Sequence, residues 1–210
     1  MSQADLGGFV CRWEPGTSER TLLLLHGTGA DENDLLPLGR ALDPEANLLS
    51  PRGKVLENGM PRFFRRLAEG VFDVEDLKAR TDQLVTFVEQ SAPHFGFDGA
   101  EVTAVGFSNG ANIAASTLLR HPKTLRAAVL LRPMVPYEPD GSPDLGGVPV
   151  FIGAGQSDPL IDPDSTRRLA AILEEAGADV ALSWVPGGHQ LDMREVERAR
   201  TWLERNRSGE

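Results

Sequence analysis

Apolar residues along the chain fall into two kinds of segment. The first kind is short and continuous: Thr21-Leu22-Leu23-Leu24-Leu25, Val102-Thr103-Ala104-Val105, Leu125-Arg126-Ala127-Ala128-Val129-Leu130-Leu131, Val148-Pro149-Val150-Phe151-Ile152-Gly153 and residues 180–185. Such runs predict strands, and Thr21–Leu25 and residues 125–131 predict strands buried on both faces, as in a parallel sheet. Phe9-Val10-Cys11-Arg12-Trp13 and Asn47-Leu48-Leu49-Ser50 add two more, for about seven strands. The second kind carries apolar residues at helical spacing. Residues 34–42 predict a first helix, with Asp31 or Asn33 available to cap it. Residues 73–90 place Val74, Leu77, Leu84, Val85 and Val88 on one face. Residues 111–119 read as a third helix. Residues 163–176 turn Leu169, Ile172 and Leu173 inward, with Gly177 as the stop. A closing helix carries Val196, Ala199, Trp202 and Leu203 on one stripe. Residues 51–70 and 132–147 fit neither pattern and read as irregular connections. A connection as long as the first is usually functional or disordered.

Strands alternating with helices imply a doubly wound, mostly parallel α/β sheet covered by helices on both faces. Right-handed crossovers bring the C-terminal ends of parallel strands to one edge. Ligands bind at that edge in open sheets of this kind. Four loops with candidate chemistry, at Gly27-Thr28-Gly29, Ser108, Asp158 and His189, each follow a predicted strand. The architecture would therefore gather them.

Composition narrows the class of protein. The 210 residues suit one domain, 1–210, with a sizeable core. The formal net charge of −10 argues against nucleic acid and anionic membrane surfaces as partners. No apolar stretch approaches the ~20 residues needed to span a bilayer. Cys11 is the only cysteine, so an internal disulfide is impossible, which fits a reducing compartment. The first eight residues lack the basic and apolar regions of a signal peptide. These features predict a soluble cytoplasmic protein.

The most informative stretch is Gly106-Phe107-Ser108-Asn109-Gly110, between a predicted strand and a predicted helix. Gly-x-Ser-x-Gly in that context is the pattern of a nucleophile elbow. The glycines remove side chains that would clash at a sharp, strained turn. The turn lifts the Ser108 hydroxyl above the sheet edge. It also aims the first helix amides, including Asn109 N–H, where an oxyanion would develop. A serine hydroxyl needs a base within reach, and the base needs an orienting acid. Asp158 and His189 follow Ser108 in the order Ser, Asp, His. They read as orienting acid and general base. Asp162, a rival acid, precedes Pro163 and looks more like a helix start. Among the other histidines, His94 and His121 read as surface or capping residues near helix ends. His26, at the end of a buried strand, is either a base or the residue that holds the oxyanion loop. No histidine pair has i, i+4 spacing and no cysteine pair exists, so a zinc site is not expected, nor any other metal or cofactor.

Together, His26-Gly27-Thr28-Gly29, the Ser108 elbow, Asp158 and Gly188-His189 resemble the phospholipase/carboxylesterase family of α/β-hydrolases, over nearly the whole chain. That family includes acyl-protein thioesterases and small bacterial carboxylesterases. Ser50-Pro51-Arg52-Gly53, Glu57-Asn58-Gly59, Arg62-Phe63-Phe64-Arg65-Arg66 and Glu69-Gly70 resemble its MhqD-like branch. The resemblance implies a second oxyanion donor, the backbone N–H of Thr28, beside Asn109. Thr28 replaces a bulkier apolar residue of the eukaryotic thioesterases, and Asn109 replaces their glutamine. Both departures argue against a protein-thioesterase role. The related dienelactone hydrolases carry cysteine at the elbow, where this chain has Ser108. The expectation is a serine carboxylesterase acting on small or short-chain esters through an acyl-enzyme. An acyl thioesterase or lysophospholipase with the same triad is the alternative, followed by a catalytically silent binding protein. Residues 51–70 and 132–147 are expected to line the substrate. Phe64 and Met134 are candidate apolar walls, and Arg52 and Glu57 candidate polar contacts. Phe63 and Phe64 could equally be core. Arg65 and Arg66 either meet an anionic group or pair with acids such as Glu57 or Glu69. Homodimerisation is common among the relatives, although the sequence displays no clear interface patch.

Overall fold

The computed structural model describes residues 2–207. Strands β1 (Ser2–Leu6) and β2 (Phe9–Glu14) open the chain as an antiparallel pair. β3 (Thr21–Leu25), helix α1 (Leu36–Leu42) and β4 (Asn47–Pro51) follow. Four short strands, β5 (Val55–Glu57), β6 (Met60–Arg62), β7 (Arg66–Ala68) and β8 (Val71–Phe72), then make two hairpins outside the main sheet. The remaining chain alternates: α2 (Val74–Phe95), β9 (Val102–Phe107), α3 (Asn109–Arg120), β10 (Ala127–Leu131), β11 (Pro149–Gly155), α4 (Pro163–Glu175), β12 (Asp179–Val185) and α5 (Met193–Arg205). The main sheet has the order β1-β2-β4-β3-β9-β10-β11-β12. From β4 to β12 every neighbouring pair is parallel.

The continuous apolar runs are explained by two cores, one on each face. On β3, Leu23 and Leu25 join the core beneath α2, α3 and α4, with Leu84, Phe87, Leu118 and Leu169. Leu22 and Leu24 point the other way, into the core of α1 and α5 with Leu42, Val196 and Leu203. Because side chains alternate along a strand, a strand covered on both faces must be apolar at every position.

The structure corrects several expectations. Among the described residues the main sheet has eight strands rather than about seven. The additional one, β1, is an edge strand of mixed residues without an apolar run. Residues 51–70 are not irregular. Asn58 and Gly59 both take positive φ, 52° and 81°, at the two-residue turn between β5 and β6. This is the Asn-Gly signature of a tight hairpin. Helix α1 begins after Leu35 without a side-chain cap. Asp31 instead accepts the Asn33 N–H at 2.8 Å within the preceding turn. Helix α2 runs past Pro93 to Phe95 and ends where Gly96 turns left-handed at φ 77°. A proline so near the C-terminus removes only one bond of the ladder. Residues 132–147 do lack helix and strand. Among the described residues no helix is long and apolar enough to cross a membrane.

The tightest packing lies where α3 meets the sheet. A Cβ on Gly110 would stand 1.9 Å from the Leu25 carbonyl oxygen, and one on Gly106 would stand 2.5 Å from that of Gly110. The far end of α3 is clasped to α2. Asp82 accepts from Arg120 at 2.6 and 2.9 Å and lies 2.7 Å from His121 Nε2. Arg120 first, then His121, hold the Asp82 carboxyl down at about 2.

Two outcomes follow. Gly110→Ala pushes a methyl group into backbone that cannot yield. It should destabilise the protein by more than about 3 kcal/mol, the upper end of ordinary overpacking costs, in urea titration. Asp82 gains a proton more readily unfolded than folded, so its clasp contributes stability above about pH 4 that is lost as pH falls towards 2. The stability gap between wild type and Asp82→Asn, measured by urea unfolding, should therefore shrink across that window.

Candidate active site

Ser108 occupies the turn between β9 and α3 with φ 52° and ψ −113°, a sparsely populated conformation that costs roughly 1–3 kcal/mol. Its N–H donates to the Leu131 carbonyl at 2.8 Å, which ties the turn to β10. Asp158 follows β11 and His189 follows β12. The structure brings all three together. His189 Nδ1 lies 2.9 Å from Asp158 Oδ2, and Nε2 lies 3.0 Å from Ser108 Oγ. An ionised carboxylate can only accept, so Nδ1 carries the proton and donates to Asp158. Nε2 of the neutral ring is then free to accept from the serine hydroxyl. The Asp158 side chain is 1% exposed and its other oxygen accepts the Leu160 N–H at 2.9 Å. Asp162 caps α4 through the Asp164 N–H and stays out of this relay.

Thr28, Asn109 and Ser108 line one small cleft of about 70 Å³. Asn109 is the first residue of α3, so its amide sits at the positive end of the helix dipole. The Thr28 loop is braced from several sides. Gly29 N–H donates to the Pro61 carbonyl at 2.9 Å, and Thr28 Oγ1 accepts from Arg62 at 2.8 Å. His26 is wholly buried. Its Nε2 accepts the Gly53 N–H at 2.9 Å, which leaves Nδ1 to donate to the Gly27 carbonyl at 2.7 Å. Burial lowers its pKa and keeps the ring neutral. Of its two sequence readings, the structure places it as the support of this loop. His121 caps the end of α3, and His94 is exposed in the last turn of α2.

The substrate-facing expectations divide. Met134 lines the cleft. Phe64 does not: it is fully buried and packs edge-on against Phe72, which takes the wall position instead. Phe63 is likewise core, tilted against the His26 ring with the centroids 4.7 Å apart. Arg52 lies outside the cleft, held by Glu32 at 2.8 Å. Glu57 is also outside the lining, but it holds two arginines that belong to it, Arg62 at 3.2 Å and Arg66 at 2.9 Å. Arg65 turns away to Asp73. A wider depression of about 520 Å³ opens near Glu89 and His121, at the opposite end of β9, and holds none of the Ser108 constellation.

Several side chains of the site have no reading from sequence. Asn109 Oδ1 accepts the Phe63 N–H and Asn112 Oδ1 the Met134 N–H, each at 2.8 Å. These two side chains bind the hairpin segment and the 132–147 loop to the first turns of α3. The signal is in the sequence: a helix that is buried all round has little reason to carry asparagines unless their carbonyl oxygens accept hydrogen bonds. Arg132 stands at the start of a Pro- and Gly-rich stretch in the sequence, yet it is fully buried with its Nε 3.9 Å from Asp158 Oδ2.

The chain is similar to known proteins in sequence and fold. The family model described as Phospholipase/Carboxylesterase matches residues 13–207. MhqD of Bacillus subtilis (strain 168) is 53% identical over 190 residues, covering 90% of this chain and 95% of MhqD. The crystal structure of a Bacillus cereus carboxylesterase superposes with a TM-score of 0.93 at 48% identity, covering 94% of each chain. YahD, solved with malic acid, superposes with a TM-score of 0.90 at 29% identity, covering 94% of this chain and 99% of YahD. Fold, family match and these relatives agree: the chain belongs to the phospholipase/carboxylesterase family and is a carboxylic ester hydrolase of the α/β-hydrolase fold.

Proposed function

We propose that the protein is a serine carboxylesterase for small or short-chain esters, working through Ser108, His189 and Asp158. The observation that carries this reading is the unbroken relay of 3.0 Å from Ser108 Oγ to His189 Nε2 and 2.9 Å from His189 Nδ1 to Asp158 Oδ2. Ser108 Oγ attacks the ester carbonyl and its proton passes to His189 Nε2. Asp158 stabilises the imidazolium that results. The backbone N–H groups of Thr28 and Asn109 hold the oxyanion. Collapse of the tetrahedral species breaks the bond to the leaving alcohol, which takes the proton from His189. A water molecule, deprotonated by His189, then attacks the acyl-enzyme and releases the acid.

The small cleft supports compact substrates. At about 70 Å³ it has no room for a long enclosed acyl chain. Its lining mixes charged and apolar side chains, Arg62 and Arg66 with Phe72, Met134 and Ile161. Malic acid, the compound in the YahD structure, is similarly small and polar. A thioesterase or lysophospholipase reading uses the same triad. Leu160, at the cleft and 49% exposed, favours it to the extent that a chain could lie outside along an apolar rim. The location of such an enzyme is proposed to be the cytoplasm, its substrate a small molecule and its chemistry free of cofactors.

Hydrolysis of p-nitrophenyl esters from acetyl to decanoyl tests the reading. Activity should peak at the short chains; a peak at the long chains would move the assignment to the thioesterase or lysophospholipase. Ser108→Ala should fold normally and lose several orders of magnitude in turnover, and near-full activity in it would sink the mechanism. Asp158→Asn should keep KM while kcat drops roughly 10³–10⁴-fold, because the wrong tautomer is presented to Ser108.

A further inference from the structure

His189 is carried on a weak support. The turn Pro186-Gly187-Gly188-His189 contains two glycines, and Gly187 takes φ 142°. Such a turn does not by itself hold an imidazole within the narrow tolerance that proton transfer needs. The structure supplies an anchor from below. Arg132, the residue after β10, sends its guanidinium under the turn. Its Nε donates to the Gly188 carbonyl at 2.9 Å, and one terminal nitrogen donates to the Gln190 carbonyl at 2.9 Å. These are the residues on either side of His189. The other terminal nitrogen donates to Glu195 Oε1, a fully buried carboxylate in the first turn of α5. The same guanidinium stands 3.9 Å from Asp158 Oδ2, the oxygen that holds His189.

Three features mark this as a built arrangement. Arg132 has φ 56°, a left-handed conformation unfavourable for any residue but glycine. Its charge and that of Glu195 are both withdrawn from water, which a buried pair of apolar residues would avoid. Neighbouring positions make room for it. A Cβ on Gly153 would lie 2.2 Å from Glu195 Oε1, and a Cβ on Gly155 would lie 2.4 Å from the Gly188 carbonyl oxygen. Strain and desolvation concentrated beneath the reactive histidine point to function rather than to stability.

We propose that Arg132 is a positioning residue, a strap that ties both sides of His189 to the buried carboxylate of Glu195 and so fixes the imidazole between Ser108 and Asp158. The role belongs to the fork geometry of a guanidinium. It reaches two carbonyls and a carboxylate at once in a fixed plane, whereas a lysine ammonium is a single point on a flexible stem. The inference rests on the reading of Ser108, His189 and Asp158 as the triad.

The test compares kcat and KM for p-nitrophenyl acetate in wild type, Ser108→Ala, Arg132→Lys and the double variant Arg132→Met/Glu195→Met, with thermal midpoints for all. Methionine at 132 keeps the same backbone strain, and removal of both charges leaves none stranded in the interior. The double variant should melt within about 5 °C of wild type yet show kcat reduced about 100-fold, the scale of a small misplacement, with KM within twofold. Arg132→Lys, which keeps the charge, should lose at least tenfold in kcat at unchanged KM. A folded Arg132→Lys or double variant with kcat within twofold of wild type would overturn the proposal. If the double variant does not fold, Arg132→Lys alone decides. Activity that survives in Ser108→Ala would instead overturn the triad reading and the strap with it, so the two failures are told apart.

Discussion

The site depends on one close approach, that of the first turn of α3 to the end of β3. Gly110 rests on the Leu25 carbonyl, and Gly106 rests on Gly110 in turn. With no side chain between them, helix and strand sit closer than any other residue pair would permit. The chain leaving β9 must therefore reverse within one residue, and Ser108 takes the strained conformation this demands. Because β3 and β9 are neighbours in the sheet, the same contact sets the loop after β3 against the N-terminus of α3. Thr28 and Asn109 share a cleft for that reason. The hydroxyl and both candidate amide donors are thus placed by a single packing constraint, before any side-chain hydrogen bond is considered.

Hydrogen bonds then settle what packing leaves loose. The segments that surround Ser108 are connections, and connections are the more mobile parts of a fold. Here they are fastened to rigid elements by polar groups removed from water. Asn109 and Asn112 reach out from α3, His26 reaches across to Gly53, and Arg132 reaches up to the His189 turn. Each bond satisfies a backbone group that would be costly to bury alone. A buried hydrogen bond of this kind contributes about 1 kcal/mol net, but breaking one strands its partner, so the loops resist displacement more firmly than that figure suggests.

Fold class was legible because the strongest signals are local. A strand covered on both faces must be apolar throughout, so β3, β9 and β10 announced themselves. The elbow and its partners were legible because the chemistry demands particular residue types at strand ends. What the sequence hid had no local pattern. β1 is an edge strand and carries no apolar run. The Asn58-Gly59 turn was present in plain letters, but its strands are only three residues long, too short for an alternation to register. Phe64 against Phe72 could not be decided, since both aromatics lie on the same stretch and only the hairpin geometry turns one inward. Arg132 was least legible of all. A charged residue after a strand usually means solvent, and only the positions of Gly153, Gly188 and Glu195, far apart in sequence, create its burial.

The two hairpins stand apart from the sheet that carries the reactive groups. They supply Arg62, Arg66 and Phe72 to the cleft, while Ser108, Asp158 and His189 come from strand ends. Part of the cleft wall is therefore housed apart from the proposed reactive groups. On the proposed function, substitution in the β7–β8 hairpin, which carries Arg66 and Phe72, can reshape what is admitted while the bonds that brace the Ser108 turn stay in place. The β5–β6 hairpin is tied in more closely. Pro61 and Arg62 join the wall to the loop beside Ser108 through the Gly29 N–H and Thr28 Oγ1, so on the proposed mechanism a change there alters admission and rate together.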